Sequence, residues 1–402
     1  MNVTIVIREA RGIPKCYRFS PWSRIRQGRG PGLCMSEMRN LRMTTGWLQA
    51  LSRGTSRTLA LSVVLGVMCG AALQGQQKEP EPFEVATVKA GRYSMQSNAW
   101  VNLHQRLVHE SRFKTAPPVA IEGEKLASWR QAVADYGRFL GNRSPIFNHD
   151  LAGLNLTLSE TDSENLPDSI PPGAARVLRS AMSLYQEAQW EADDRANRFW
   201  MQVARALIEA AGEELAAAHE RVYGVPFPTR IRVDVSPFAW QFGAYTVGEG
   251  DFAHVVISST DPGYRSFAAL EMLMHEPSHA IVGARNAAVG TELTRISAEL
   301  GVSTPPNLWH AILFYTSGEL TRRALARRGV DDYQPVILGM YRRGFAGYRE
   351  ALETHWQGWI DGKIGRDEAI RRMLVATAGK PEESEQRPVA RPAPERKSQA
   401  KD

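Results

Sequence analysis

Beyond residue 69 this 402-residue chain has no cysteine, because its three, Cys16, Cys34 and Cys69, all lie near the start. That excludes a disulfide framework and a thiolate metal site for everything downstream, so any metal there must be held by His and carboxylate. A basic excess is lacking as well. The whole chain has 49 Lys and Arg against 43 Asp and Glu, but residues 1–72 hold eleven and two of these, which leaves 38 against 41. A mildly acidic body has no electrostatic footprint for nucleic acid, and that partner class is set aside. The apolar run 59–73 is about 15 residues long, short for a bilayer span.

That run follows Arg53 and Arg57 and ends in small residues, Gly70 and Ala72, so 43–75 reads as a signal peptide and the protein as secreted or periplasmic. Left uncleaved, the segment would anchor the chain; no other membrane span is expected. Met68 just before Cys69 argues against lipidation, and the Arg- and Gly-rich residues 1–42 read as an upstream extension with Met43 as the working start.

The remainder divides into a polar linker (76–97), a helical region (98–228), a core (229–328), a second helical region (329–378) and a Pro- and charge-rich tail (379–402) expected to be disordered. Helical spacing marks 98–112, 125–141, 174–190 and 196–223, whereas the proline-rich stretch 145–173 reads as loop. His104 and His109 are five apart and do not share a helix face as paired ligands would, so the first of these helices is read as packing. Within the core the period changes to two: 231–235, 242–247 and 252–258 read as strands, with 252–258 the candidate edge strand for an extended peptide. The fold class is therefore α+β and mostly helical, a small sheet feeding helices.

The chemistry concentrates in 266–286, where His275, Glu276 and His279 form H-E-x-x-H within helical apolar spacing. Positions i and i+4 share a face, so both imidazoles can reach one tetrahedral zinc ion while Glu276 faces a metal-activated water as general base. Pro277 is the awkward residue: it has no N–H for Leu273 and discourages helical geometry at Glu276.

Catalytic zinc takes three protein ligands, and two downstream glutamates compete for the third place. Glu299 lies off the apolar face of its helix and pairs with Arg295 one turn back, a solvated charge. Glu319 is the only carboxylate of the apolar helix 308–320, where a buried charge needs a cation; zinc would serve, or Arg322 and Arg323 one turn on. Glu319 is preferred. Tyr315, on roughly its face, is the candidate oxyanion donor, and His310 falls on the opposite side of that helix.

H-E-P-S-H followed by a helical glutamate in T-S-G-E resembles the gluzincin group of zinc metallopeptidases, over residues 230–325 only. The resemblance implies a zincin-like fold with the sheet packed on the H-E-x-x-H helix. It also implies His275, His279 and Glu319 as zinc ligands, Glu276 as base, and a peptide or protein as substrate. The alternative function is a zincin-shaped binding or scaffold protein of the cell envelope without turnover, for which Pro277 is the best support.

Overall fold

The computed structural model describes residues 3–7, 15–19 and 83–378, apart from 114, 119, 147 and 284–287. The expected export segment and the polar tail lie outside the described residues. In the unit Met1–Glu79, β1 (Val3–Ile7) pairs antiparallel with β2 (Lys15–Phe19).

The second unit, Pro80–Asp402, is built on one five-stranded sheet. Its strands are β3 (Ala86–Ala90), β4 (Tyr93–Ser97), β5 (Arg230–Ser236), β6 (Ala244–Glu249) and β7 (Phe252–Ser258), in the order β3-β4-β5-β7-β6. The middle strands β4, β5 and β7 run parallel, and both outer strands are antiparallel to their neighbours. Two strand expectations need correction. Residues 86–97, read as part of a linker, form the β3–β4 hairpin, turned by Gly91 at φ +51°; their Lys, Arg, Ser and Gln hid an alternation that is polar on one face only. β7 is not the edge strand, since β5 and β6 flank it and β6 takes the edge. Its unbroken apolar run, with Ala253, Val255, Val256 and Ile257 all buried, is what a strand covered on both faces requires.

Helices cover both faces. One side carries α1 (Ala99–Phe113), α2 (Gly123–Leu140), α3 (His149–Ser159) and α4 (Pro172–Tyr185) over Tyr245 and Val256. The other carries α5 (Glu191–Tyr223), α6 (Phe267–Ser278), α7 (Ala288–Leu300), α8 (Leu308–Ala326) and α9 (Arg366–Thr377) over Val233, Val235, Val255 and Ile257. The α+β, largely helical class is as expected. α3 is a correction, a helix inside the stretch read as loop: Asn148 caps it, its side chain accepting from Leu151 N at 3.0 Å. A π-helical turn, Gln186–Trp190, joins α4 to α5. Among the described residues no helix is long and apolar enough to cross a membrane.

A polar pin holds the parallel strands in register. Asp234 on β5 accepts from Gln96 on β4 at 2.8 Å and from Ser159 on α3 at 3.0 Å, and its other oxygen meets His254 Nε2 on β7 at 2.6 Å. All four residues are buried, so each bond satisfies a group that water cannot reach. His104 is likewise structural: buried on α1, it pairs through Nδ1 with the Tyr136 hydroxyl at 2.5 Å.

α6 is the helix of the H-E-x-x-H motif, and it stays α-helical through Pro277 to Ser278, with His279 as its C-cap. Pro277 has no N–H for Leu273, but the Tyr93 hydroxyl on β4 donates to Leu273 O at 2.6 Å and satisfies the stranded carbonyl. Tyr93→Phe should therefore cost about 1–3 kcal/mol, the penalty of a buried unpaired carbonyl. In a Pro277→Ala background, where residue 277 regains its N–H, the same change should cost clearly less. Denaturant melts of the four proteins measure the coupling, and equal costs in both backgrounds would rule out the compensation.

Candidate metal centre

Helices α6 and α8 pack antiparallel along a seam. Glu271, His275 and His279 descend one helix against His310, Phe314 and Gly318 rising along the other. Gly318 allows the approach: a Cβ there would stand 2.7 Å from Pro335 Cβ and 3.3 Å from Glu271 Oε1. At the open end of the seam three imidazoles meet. Their ring centroids are 5.0 Å (His275–His279), 5.4 Å (His275–His310) and 5.1 Å (His279–His310) apart. One nitrogen from each lies within 4.8 Å of the others, a group able to hold a metal ion.

The surroundings keep these rings neutral. Burial pushes His275 well below the ordinary imidazole range, helped by His279, His310 and His219; desolvation takes His279 to about 4 and lowers His310 strongly. Neutral imidazole is the form that binds a metal. Aromatic rings hold the geometry: Phe314 packs on His275 with centroids 3.9 Å apart, Trp309 stacks on His310 at 5.0 Å, and Phe345 meets His310 edge-on at 5.8 Å. His275 is buried, while His279, His310 and Trp309 keep part of their surface exposed, so the cluster opens on that side. His275 Nδ1 is buried without a hydrogen-bond partner among the described residues.

Beside the imidazoles Glu276 is 4% exposed, and its Oε2 accepts from Thr246 Oγ1 on β6 at 2.7 Å. Burial raises its pKa to about 7 against the lowering effect of that hydrogen bond, the range suited to a general base near neutral pH.

The structure thus brings His275 and His279 together with His310, sets Glu276 against Thr246, and places Glu319 and Tyr315 elsewhere. Nine residues at about 100° each turn Glu319 to the face of α8 opposite His310. There it accepts from Arg322 Nε and Arg323 Nε, both at 2.7 Å, the ion-pair alternative the sequence left open. Burial works to raise its pKa, but the arginines prevail and hold it below the usual value. Tyr315 donates to Gln357 Oε1 at 2.6 Å, and Gln357 in turn reaches Glu319, so both belong to an outer network. Glu299 is a solvated ion pair with Arg295, as read, and Arg371 joins it. The other T-S-G-E residues pack: Thr316 accepts from Trp356 Nε1 at 2.8 Å, and Ser317 meets His219 Nε2 at 3.2 Å.

Sequence reasoning passed over His310. The signal was present, because an imidazole in an apolar helix needs a partner for the same reason as a carboxylate does. Thr246 carried no motif, and only the register of β6 reveals it. Set against protein-family models, curated proteins and solved structures, the chain matches none.

Further along the seam Glu271 is fully buried, accepting from the Tyr333 hydroxyl at 2.7 Å and from Val336 N at 3.1 Å. Burial raises its pKa from 4.5 to about 7, outweighing both bonds. The folded state therefore holds this proton more tightly than the unfolded chain does. The associated stability is complete below about pH 4.5 and is lost as pH rises through about 7. Glu271→Gln should shrink the fall in thermal midpoint between pH 5 and pH 8, by an amount worth at most about 3 kcal/mol. Parallel pH profiles for variant and wild type would contradict the assignment.

Proposed function

We propose that this protein is an exported zinc-dependent hydrolase of the metallopeptidase type. In this reading His275, His279 and His310 are the metal ligands and Glu276 is the general base. One observation carries it: three neutral imidazoles converge on the helix that bears a buried carboxylate, and that carboxylate is bonded to an outer strand of the sheet. Three histidines that leave a fourth position free are a recognised catalytic zinc set. The overall arrangement is then zincin-like, with His310 standing where the gluzincin pattern has a glutamate. The binding-only alternative loses its main support, because Tyr93 compensates for Pro277.

Bound zinc would acidify a water molecule and polarise the substrate carbonyl. The protein's own groups account for the rest. Thr246 occupies Oε2 of Glu276, which leaves Oε1 to take the proton of the attacking water and return it to the leaving amine as the C–N bond breaks. β6, an outer strand of the sheet among the described residues, would take an extended peptide by main-chain hydrogen bonds and present its carbonyls to the cluster. The partly exposed faces of His279 and His310 leave room for it.

Purified wild type should hold one zinc per chain and cleave a mixed peptide library. His310→Ala should lose stoichiometric zinc, whereas Glu319→Ala should keep it and unfold at lower temperature, because two arginines lose their partner. Glu276→Gln should keep zinc and lose hydrolysis by about a hundredfold or more. Elemental analysis with a cleavage assay decides. Zinc retained by His310→Ala and lost from Glu319→Ala would overturn this ligand set and restore the glutamate.

A further inference from the structure

Strand β6 is tied to helix α6 through Thr246, and a second bond joins the residues just beyond the two elements. Thr246 Oγ1 donates to Glu276 Oε2 at 2.7 Å, and Gly250 N donates to Ala280 O at 3.0 Å. Among the described residues β6 pairs with β7 alone within the sheet, which makes it an outer strand, while the face bearing Ala244 and Thr246 turns towards α6. Thr246 is thus half-buried between the surface where a peptide would lie and the carboxylate that would act on it.

The chemistry favours threonine there. A β-branched side chain in a strand has little χ1 freedom, so its hydroxyl direction is set by the backbone. A glutamate has three rotatable bonds, and one charge-assisted bond to a fixed donor removes most of that freedom. Because the hydroxyl takes Oε2, the remaining oxygen points in one defined direction. Misplacement of a reacting group by about 1 Å can cost about a hundredfold in rate, so a single fixed donor matters.

The geometry points to Thr246 as a positioning residue: from the substrate-binding edge strand it holds the carboxylate of Glu276, so that peptide pairing on β6 and aim of the base move as one unit. This rests on the hydrolase reading above, in which Glu276 is the base. The role is mechanical, since the Thr246 hydroxyl donates to Glu276 and is outside the three-histidine group, so it need not alter metal binding.

Thr246→Val removes the donor and nearly keeps the shape, and Thr246→Ser keeps the donor. In the zinc-loaded full chain, Thr246→Val should retain zinc and keep KM within about twofold while kcat falls by about ten- to a hundredfold. Thr246→Ser should recover kcat to within about threefold of wild type. An unchanged kcat in Thr246→Val, a rise in KM with kcat kept, or a serine variant no better than valine would each overturn the role. A second readout is independent of turnover: in metal-free protein, Thr246→Val should lower the thermal midpoint by several degrees in the wild type and hardly at all in a Glu276→Ala background. Equal shifts in both backgrounds would show that the bond does not hold Glu276 in solution, and would overturn the role. A wild type that binds zinc and passes the thermal test yet cleaves no peptide overturns the hydrolase reading, and with it any positioning of a base.

Discussion

The hydrogen bond from Tyr93 to Leu273 O is the contact on which the site depends. A proline inside a helix costs about 3 kcal/mol or more when the freed carbonyl goes unanswered and the axis kinks. A kink at Pro277 would fall between His275 and His279 and turn them off one face. Here the donor comes from β4, a strand far away in sequence, so the integrity of the H-E-x-x-H helix is a tertiary property. Once the carbonyl is satisfied, the proline stiffens the backbone beside Glu276. A residue that looked like a defect becomes a restraint on the backbone at Glu276.

The second constraint is the closeness of α6 and α8. Gly318 lets the helices approach until Glu271 and Pro335 fill the space a side chain would have taken. That sets the spacing two turns away, where His310 faces His275 and His279. The same register turns Glu319 outward to its arginines, so one helix rotation decides both positions. Glu271 links this seam to the chain that follows α8 through Tyr333 and Val336, and that chain goes on to supply Phe345 against His310.

Much of this was legible in the residues. The H-E-x-x-H spacing, the strands 231–235 and 252–258, and the long helices carried periodicities strong enough to place them. Other features escaped the sequence reading. The β3–β4 hairpin is short and polar on one face, and its burial comes from packing against α5 rather than from its own pattern. β6, not β7, is the outer strand on its side of the sheet because β7 pairs in parallel with β5, a choice of topology that no local signal encodes. The third imidazole was missed because a helix apolar nearly all round shows no preferred face, and the burial argument was applied to its carboxylate alone. Burial alone could not separate an arginine partner from a metal; only the rotation of α8 does.

The central claim is that three imidazoles, and no protein carboxylate, hold one metal ion. X-ray absorption at the zinc edge of the loaded protein tests it most directly. The account predicts a single shell of light atoms at about 2.0–2.1 Å whose outer scattering requires three imidazole rings and one further oxygen. A spectrum fitted by two imidazoles and a carboxylate, or a protein that takes up no stoichiometric zinc, would contradict it.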